Sequence, residues 1–357
     1  MSRRTLLLIG GALVAALAAG LAPQVIDTFN IMQLTVFVCM SILALSLGFI
    51  WGFGGILSFG QAAFFGLGGY SYAVSAINMG ESTVSLVIGI LVPTLFAGLL
   101  GYFMFYGRIS NVYVGVITLT VTLILFNVVN STAGDAYHIG SAQLGGFNGM
   151  PSVPGLNMPF NVDWTFGPEE NWYTSAGALI LVFLGLRWLL ASHFGRVVVA
   201  IRENETRAAL LGYDPRFYKL AAFMIGGAIA GLAGCLYTVW GAFISPTIFG
   251  LATSAQIIIW ITIGGLGTLI GPILGCFAIQ YLVTTIGTQQ TLDANLVLGV
   301  ILLLFVLLMP AGVVPTLEAL SGKLSAWPRK RRVATETIAL GPEIDPPGAH
   351  VVGAERH

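Results

Sequence analysis

The sequence predicts an all-α polytopic membrane protein with about ten transmembrane segments. Of its 357 residues, 56% are hydrophobic and only 8% are charged, whereas a soluble domain carries about a quarter of its residues as charged side chains. Apolar runs of spanning length recur along most of the chain. When these runs are counted as crossings, every lysine and arginine falls on the same side of the membrane.

The predicted spanning runs differ in length, and each ends at polar residues, glycine or proline. The first run is interpreted as a retained helix rather than a cleaved signal peptide, because it reaches the length of a minimal span and further spans follow. The ten runs are residues 6–22, 31–50, 56–77, 84–105, 112–130, 174–191, 217–240, 253–263, 269–286 and 295–309.

Charge segregation sets the orientation, because cytoplasmic loops of membrane proteins carry the excess of lysine and arginine. With the N-terminus in the cytoplasm, the opposite face receives Asp27, Glu81 and five other acidic residues but no basic residue. We therefore expect a multi-pass membrane protein with both termini cytoplasmic. A membrane domain would cover residues 1–320, with an exterior loop at 131–173 and a cytoplasmic loop at 192–219. Residues 321–357 would form a disordered cytoplasmic tail.

Aromatic side chains in the exterior loop, Trp164, Phe166, Trp172 and Tyr173, suit a membrane-interface belt more than a docking surface. Turns are expected in this loop from its proline, glycine and asparagine content. The three cysteines lie singly in apolar runs, so we interpret them as small packing residues.

Several function classes lack the residues that they require. The predicted spans carry no Asp, Glu, Lys, Arg or His away from their ends, which counts against proton relays and voltage sensors. No phosphate-binding loop and no hydrolase or metalloprotease motif is present, so an enzyme, a metal site and a cofactor on this chain are not expected. The net charge of zero gives no indication of nucleic-acid binding.

The cytoplasmic loop contains a segment with the features of a helix. In "ENETRAALLGYDP", Glu203 and Glu205 lie early, Glu203 and Arg207 have i to i+4 spacing, and Gly212 and Pro215 would end the helix. Ala208, Leu211 and the stem of Arg207 would share one side. Such a helix could fit a groove on a partner, although a solvated loop explains the charges equally well.

Five blocks in this order resemble the permease subunits of bacterial ABC importers of the branched-chain amino acid type. The blocks are "WGFGGILSFGQAAFFGLGGY" (51–70), "AIRENETRAALLGYDPRFYKLAAF" (200–223), "AGLAGCLY" (230–237), "FISPTIFGL" (243–251) and "GGLGTLIGPILG" (264–275). The resemblance implies a homologous permease, two ATP-binding subunits that hydrolyse the ATP, and a periplasmic solute-binding protein as partners, besides membrane lipid. It also implies a location in the bacterial inner membrane and an ATPase-coupling role for Arg202, Glu203, Asn204, Glu205, Arg207, Ala208, Leu211 and Gly212.

Two glycine-rich segments, 52–70 and 260–275, interrupt the predicted helices. Glycine pairs free backbone carbonyls, and broken backbone at membrane depth occurs where it is buried in protein or lines a cavity. Close helix packing explains the same glycines as well, in particular Gly66, Gly69, Gly271 and Gly275. The candidate translocation path consists of Gly54, Gly55, Ser58, Gln61, Thr118, Thr122, Gly264 and Gly265.

A path without fixed charges is compatible with an apolar amino acid, and urea or a short-chain amide is the alternative cargo in related permeases. Gln61 favours the amino-acid branch, since histidine would be expected there in the urea branch. A self-sufficient secondary carrier or channel is the alternative of a different class, and it has no need of a docking helix at 203–212. A membrane scaffold or enzyme without transport has the least support.

Overall fold

The computed structural model describes residues 17, 19–134, 136–158, 161–289 and 299. The predicted span 295–309, apart from Gly299, the tail 321–357 and most of the first predicted span lie outside these residues. Residues 19–25 are helical. The helices that follow are α1 (Thr28–Gly52), α2 (Gln61–Met79), α3 (Ser82–Tyr106), α4 (Asn111–Asn130), α5 (Pro168–Ala191), α6 (His193–Glu203), α7 (Glu205–Leu210), α8 (Pro215–Gly241), α9 (Leu251–Gly264) and α10 (Ile270–Gln289).

The fold is helical and multi-pass. Five of the described helices, α1, α3, α4, α5 and α8, are long and apolar enough to cross a membrane. Eight of the ten predicted runs coincide with the helices α1 to α5 and α8 to α10. The total of ten remains a prediction, because the last run and most of the first lie outside the described residues.

Local sequence chemistry explains where several helices begin and end. The α2 helix stops at Gly80, which has φ +68° and whose amide donates to the carbonyl of Ala76. Pro168 opens α5, and the Glu170 carboxylate accepts from the amide of Gly167 at 2.9 Å. Asp214 caps α8 by accepting from the amide of Arg216 at 3.1 Å.

The α8 helix is the centre of the bundle and packs against α3, α2 and α1. Glycines bring these backbones together. A Cβ atom added to Gly68 of α2 would lie 2.3 Å from the carbonyl oxygen of Gly231 on α8, and one added to Gly234 would lie 1.9 Å from that of Phe65. Helices with small residues in contact can associate closely in a membrane, where lipid gives no hydrophobic drive between them.

Contacts between non-adjacent segments define two ends of the bundle. At the first, which we call the basic end, Gly52 lies beside Gly267 and Arg216 lies over the ring of Tyr106 at 5.9 Å. At the other, the acidic end, the indole N–H of Trp240 donates to the carbonyl of Met32. Among described residues, all seven lysines and arginines belong to the basic end, namely Arg108, Arg187, Arg196, Arg202, Arg207, Arg216 and Lys219.

Short antiparallel strand pairs cover the acidic end, where turns were predicted. They are β1 (His138–Ile139) with β2 (Ala142–Gln143), β3 (Met150–Pro151) with β6 (Phe243–Ile244), and β4 (Asn157–Met158) with β5 (Asn161–Thr165). The 3₁₀ helices Gly146–Asn148 and Pro246–Phe249 lie in the same connections. The side chains of Tyr72, Asn78 and Ser82 hydrogen-bond to this layer and fix it on α2 and α3.

Three expectations are corrected by the structure. Residues 56–60 are not helical, so the predicted span 56–77 begins at Gln61. The exterior loop ends at Gly167, because α5 begins six residues before the predicted 174. Trp172 does not belong to an interface belt: it is buried, and its indole N–H donates to the carbonyl of Ala19 at 2.9 Å.

Candidate functional site

Three segments meet at the basic end and form the candidate site. The first break is residues 53–60, between α1 and α2, and the second break is residues 265–269, between α9 and α10. A Cβ atom added to Gly52 would lie 2.9 Å from the amide nitrogen of Gly267, so the two breaks are in direct contact. The third segment is the helix pair α6 and α7, which contacts the end of α1 and the first break through Arg202.

The first break is a closed helix end rather than a loose loop. The amide of Gly55 donates to the carbonyl of Trp51 at 3.1 Å, and that of Ile56 to the carbonyl of Ile50 at 3.1 Å. Gly55 has φ +68°, in the left-handed region that glycine adopts without steric cost. The chain can therefore leave α1 abruptly while its last carbonyl groups remain hydrogen-bonded.

Arg202, near the end of α6, holds this turn. Its Nη1 donates to the carbonyl oxygen of Gly52, which is otherwise a free carbonyl at the helix end. The aliphatic stem covers Gly55, where an added Cβ would lie 2.7 Å from Cγ of Arg202. The same guanidinium pairs with the Glu203 carboxylate. Arg202 thus connects the helix pair α6 and α7 to the first break, and Gly52 connects that break to the second.

The second break also depends on glycine. Gly265 has φ +108° and Gly267 has φ +84°, and both values are strained for residues with a side chain. The hydroxyl of Thr268 donates to the carbonyl of Gly265 at 3.3 Å and accepts from the amide of Gly271 at 3.1 Å. This threonine caps α10 and shapes the turn.

Helices α9 and α10 cross with their backbones in contact. A Cβ added to Gly264 would lie 1.9 Å from the carbonyl oxygen of Gly271, and one added to Gly275 would lie 2.0 Å from that of Trp260. Pro272 packs on Gly48 of α1. Close helix packing is confirmed at Gly69, Gly271 and Gly275, where an added Cβ would lie within 2.7 Å of an atom of a neighbouring long helix, whereas Gly66 packs on the ring of Phe249 in a 3₁₀ helix.

The polar candidates of the path lie inside the protein. Ser58, Gln61, Thr118 and Thr122 are all buried. The Thr118 hydroxyl donates to the carbonyl of Gly115 at 2.9 Å and accepts from the amide of Phe59 at 3.1 Å, which ties the first break to α4. Thr122 donates to the carbonyl of Thr118 at 2.7 Å. Ser58 accepts from the amide of Gly60 at 3.1 Å.

Gln61, the first residue of α2, differs from the other three because part of its side chain has no partner. Its Oε1 accepts from the Ser46 hydroxyl at 3.1 Å, while Nε2 has no hydrogen-bond partner. Rotating the amide by 180° would exchange the two atoms and still leave one of them unpaired. Burying an amide atom without a hydrogen-bond partner costs folding free energy, so its presence calls for a structural or functional explanation.

Unpaired polar atoms concentrate on two helices. Of the five buried side-chain polar atoms without a partner in the described part of the chain, four belong to α2 and α9: Gln61, Tyr70, Ser254 and Trp260. The fifth is Oδ1 of Asn171. These two helices contact each other, and each is adjacent to one of the breaks. The sequence analysis identified Gln61, but it did not single out Tyr70 and Trp260, because both residue types are typical of packed cores.

The coupling segment is two helices rather than the single helix predicted for 203–212. Asn204 interrupts it with φ −158° and ψ 101°, and its side chain accepts from the amide of Arg207 at 2.8 Å. Glu203 therefore ends α6, so the predicted i to i+4 pair of Glu203 with Arg207 is wrong. The stop at Gly212, with φ +90°, is confirmed.

The two faces of α7 differ from those predicted. Ala208 is buried against Val197 and Ile201 of α6. By contrast, Leu210 is 84% and Leu211 is 72% exposed. Glu205 pairs with Lys219 of α8 at 2.6 Å and holds α7 on the bundle. The outward apolar surface of the segment is therefore the Leu210–Leu211 pair, and Ala208 belongs to the inner packing.

Within the described residues no group of three or more histidine, cysteine or acidic side chains could hold a metal ion. The three cysteines are buried and free, as expected for packing residues.

Residues 29–309 match the family described as branched-chain amino acid transport system / permease component. The chain belongs to this family. It is 28% identical to the high-affinity branched-chain amino acid transport system permease protein LivM of Escherichia coli, over 77% of this chain and 67% of that protein. A probable branched-chain amino acid transport permease protein LivM of Methanocaldococcus jannaschii is 26% identical, over 77% of this chain and 90% of its own.

Similarity extends to permeases named for other cargo. The autoinducer 2 import system permease protein LsrC of Salmonella choleraesuis is 37% identical, over 30% of this chain and 31% of its own. No solved structure matches the chain. The family match and the relatives that align along most of the chain show that this chain is a permease. It is a multi-pass membrane transport subunit.

Proposed function

We propose that this chain is one of two permease subunits of an ATP-driven importer for branched-chain amino acids. The observation that carries the proposal is the contact of Arg202 with Gly52 and Gly55. It joins the helix pair α6 and α7 to the first break, which contacts the second break through Gly52. A subunit that responds to a separate ATPase needs such a connection, whereas a gradient-driven carrier has no use for it.

Coupling would begin at the exposed surface of the helix pair. The Leu210–Leu211 pair and Arg207 offer an apolar contact with a charged rim, as in a short helix that docks into a groove. When two ATP-binding subunits close and part, α6 and α7 would move together, because Val197 and Ile201 of α6 pack on Ala208 of α7. Arg202 would transmit that displacement to the first break, and Gly52 would transmit it to the second.

The solute path would run between α2 and α9, where the buried unpaired polar atoms concentrate. Gln61 and Ser254 would give neutral hydrogen bonds to the amino and carboxylate groups of a zwitterion. Gly54, Gly55, Gly264 and Gly265 would offer backbone groups at the two breaks. In the described conformation these positions are closed, so transport requires α2 and α9 to part at the breaks, and alternating access supplies that motion.

The family and the segregated charges support an inner-membrane location with the basic end in the cytoplasm. The acidic end, with its strand pairs, would then face a periplasmic solute-binding protein. ATP would be bound and hydrolysed on the partner subunits. A homologous permease would supply the other half of the pore.

Uptake of labelled leucine in cells that express the whole importer tests the proposal. We expect uptake at low leucine concentration to depend on this chain and to be lost when ATP is depleted. Substituting Arg202→Ala should reduce it at least tenfold, with the same amount of chain in the membrane. Arg196→Ala is the matched control, since Arg196 is an exposed arginine on the same helix and contacts neither break.

Other outcomes would change the assignment. Loss of labelled urea uptake with leucine uptake intact would keep the architecture and overturn the cargo. Leucine uptake that survives ATP depletion would identify a secondary carrier. Equal uptake by the Arg202→Ala and Arg196→Ala variants would remove Arg202 from the coupling route.

A further inference from the structure

A cavity at the basic end lies apart from the two breaks and is lined by basic side chains. It has a volume of about 600 Å³ and lies between the α3–α4 turn, α7 and the start of α8. Its cations are Arg108, Arg216 and Lys219, and its one carboxylate is Glu205. The proposed coupling route uses neither arginine.

The charge in this cavity is not neutralised by the protein. Lys219 and Glu205 pair at 2.6 Å and cancel each other. Arg108 and Arg216 remain, and neither has a carboxylate within 4.0 Å among the described residues. Arg216 instead lies 5.9 Å from the centre of the Tyr106 ring, a cation–π contact that leaves its guanidinium able to donate hydrogen bonds.

Backbone amides on the cavity wall, like the two arginines, are suited to bind an anion. The α4 helix begins at Asn111 on the cavity wall, and its N-cap residue Ser110 makes no side-chain capping bond. The amides of the first turn therefore lack protein acceptors. A long helix with a free N-terminus favours a negative charge there. Two unpaired guanidinium groups and free amides together suit a phosphate group.

The surroundings of the cavity favour a lipid as the source of that phosphate. Phe105 and Ile109 give its wall an apolar part. Next to it, Phe103 and Tyr113 are each 65% exposed and Tyr102 is 53% exposed. Exposed aromatic side chains at a helix end are typical of the headgroup level of a bilayer, and basic pockets between membrane helices on that side bind anionic headgroups.

We propose that this cavity binds the headgroup of an anionic phospholipid of the inner leaflet, with Arg108 and Arg216 on its phosphate. The acyl chains would lie along the exposed apolar faces of α3 and α4. Because the lipid would contact both α4 and the wall formed by α7, its occupancy would steady the helix pair against the bundle. The inference stands independently of the cargo and of the ATPase.

Native mass spectrometry of the purified full chain, with phosphatidylglycerol or phosphatidylcholine added to the detergent, tests this assignment. We expect about tenfold tighter binding of phosphatidylglycerol by the unmodified chain. The Arg108→Gln/Arg216→Gln variant should lose that preference. The Arg108→Lys/Arg216→Lys variant should keep most of it, and Arg196→Gln, which removes an arginine outside the cavity, should keep it fully.

Several results would overturn the proposal. These are equal binding of the two lipids, a preference that survives Arg108→Gln/Arg216→Gln, or one that falls equally with Arg196→Gln. Thermal stabilisation by inorganic phosphate through the same arginines, without a lipid preference, would assign the cavity to a soluble anion. Loss of lipid binding upon assembly with the ATP-binding subunits would assign it to that protein interface. Circular dichroism of each variant checks that the helices are intact.

Discussion

At the residue scale, Gly55 has two independent reasons to be glycine. Its φ of +68° costs a residue with a side chain about 1–2 kcal/mol, and its missing Cβ leaves room for the Arg202 stem. Gly55→Ala should therefore lower the thermal unfolding temperature and reduce leucine uptake more than it reduces the amount of folded chain. The unfolding temperature, the leucine uptake and the amount of folded chain are measured on the same membrane preparation.

A glycine with open surroundings is the control for that substitution. Gly185 lies in α5 with no atom within 4 Å of an added Cβ, so Gly185→Ala should be neutral or slightly stabilising, since alanine favours helix over glycine. If Gly55→Ala behaves like Gly185→Ala in both measurements, the tight contact with Arg202 is not required for the fold or for transport.

Asn204 stabilises the start of α7 through one hydrogen bond. Its side chain caps α7 through the amide of Arg207. Asn204→Ala should weaken this six-residue helix by about 1 kcal/mol. Hydrogen exchange of the α7 amides measures the effect, and we expect it to accelerate about fivefold. Asn204→Asp keeps an acceptor and should retain protection. Equal protection in the alanine and aspartate variants would show that the cap is dispensable.

Among the residues of the cytoplasmic loop, the sequence predicts some structural features and not others. Glycine at 212 before Tyr-Asp-Pro is enough to place a helix stop, because glycine and proline act locally. Asn204 was interpreted as an interior residue because the charges of Glu203 and Arg207 fit one helix. A cap and an interior asparagine differ in backbone conformation, and Asn204 is extended, with φ −158° and ψ 101°, where a helix interior would need angles of about −60° and −45°. The contact of Arg202 with Gly52 could not be predicted, since the two residues lie 150 positions apart.

At the scale of helices, the crossing of α9 and α10 depends on backbone contact. Gly275→Ala would put a Cβ 2.0 Å from the carbonyl oxygen of Trp260, and a helix carbonyl cannot move aside as a side chain can. We expect the unfolding free energy to fall by about 1–3 kcal/mol, seen in thermal or denaturant unfolding in detergent. Gly177→Ala in α5, with open space around it, is the control. Similar stability of the two variants would contradict the crossing.

The α7 helix gives a prediction that separates its two faces. Leu210→Asp/Leu211→Asp changes only exposed side chains, so the chain should insert and fold normally but lose ATP-binding subunits in a pull-down. Ala208→Leu instead overfills the contact with Val197 and Ile201, so it should destabilise the helix pair itself. Normal recovery of the subunits with the aspartate variant would exclude this surface as the docking contact.

Hydropathy predicts the helices of this protein better than their interruptions. Runs such as 31–50 and 217–240 lie within α1 and α8, because a spanning helix needs a fixed length of apolar residues. Residues 56–60 are as apolar as their neighbours, but the amide of Phe59 donates to the Thr118 hydroxyl and not to a helix carbonyl. Only the glycines indicated a break. The glycines do not indicate that α2 begins at Gln61.

At the scale of the whole molecule, the two ends of the described chain differ in structure. The acidic end is fixed by strand pairs and by side chains of α2 and α3, whereas the basic end consists of turns, two breaks and an amphipathic helix pair. Arg202 connects the helix pair to the first break at the basic end, and four buried polar atoms without a partner in the described residues lie on α2 and α9. This arrangement suits a permease in which force enters from the cytoplasm and solute from the other side.

The orientation of the ends is open to a direct test, because the native cysteines Cys39, Cys235 and Cys276 are fully buried and should not react. A single cysteine placed at Asn148, exposed at the acidic end, should be labelled by a membrane-impermeant maleimide in intact spheroplasts. One placed at Thr206, exposed on α7 at the basic end, should be labelled only after the membrane is permeabilised. The native chain supplies the background. The reverse pattern would place the basic end outside, against the positive-inside rule, and would rule out docking of a cytoplasmic ATPase on α7.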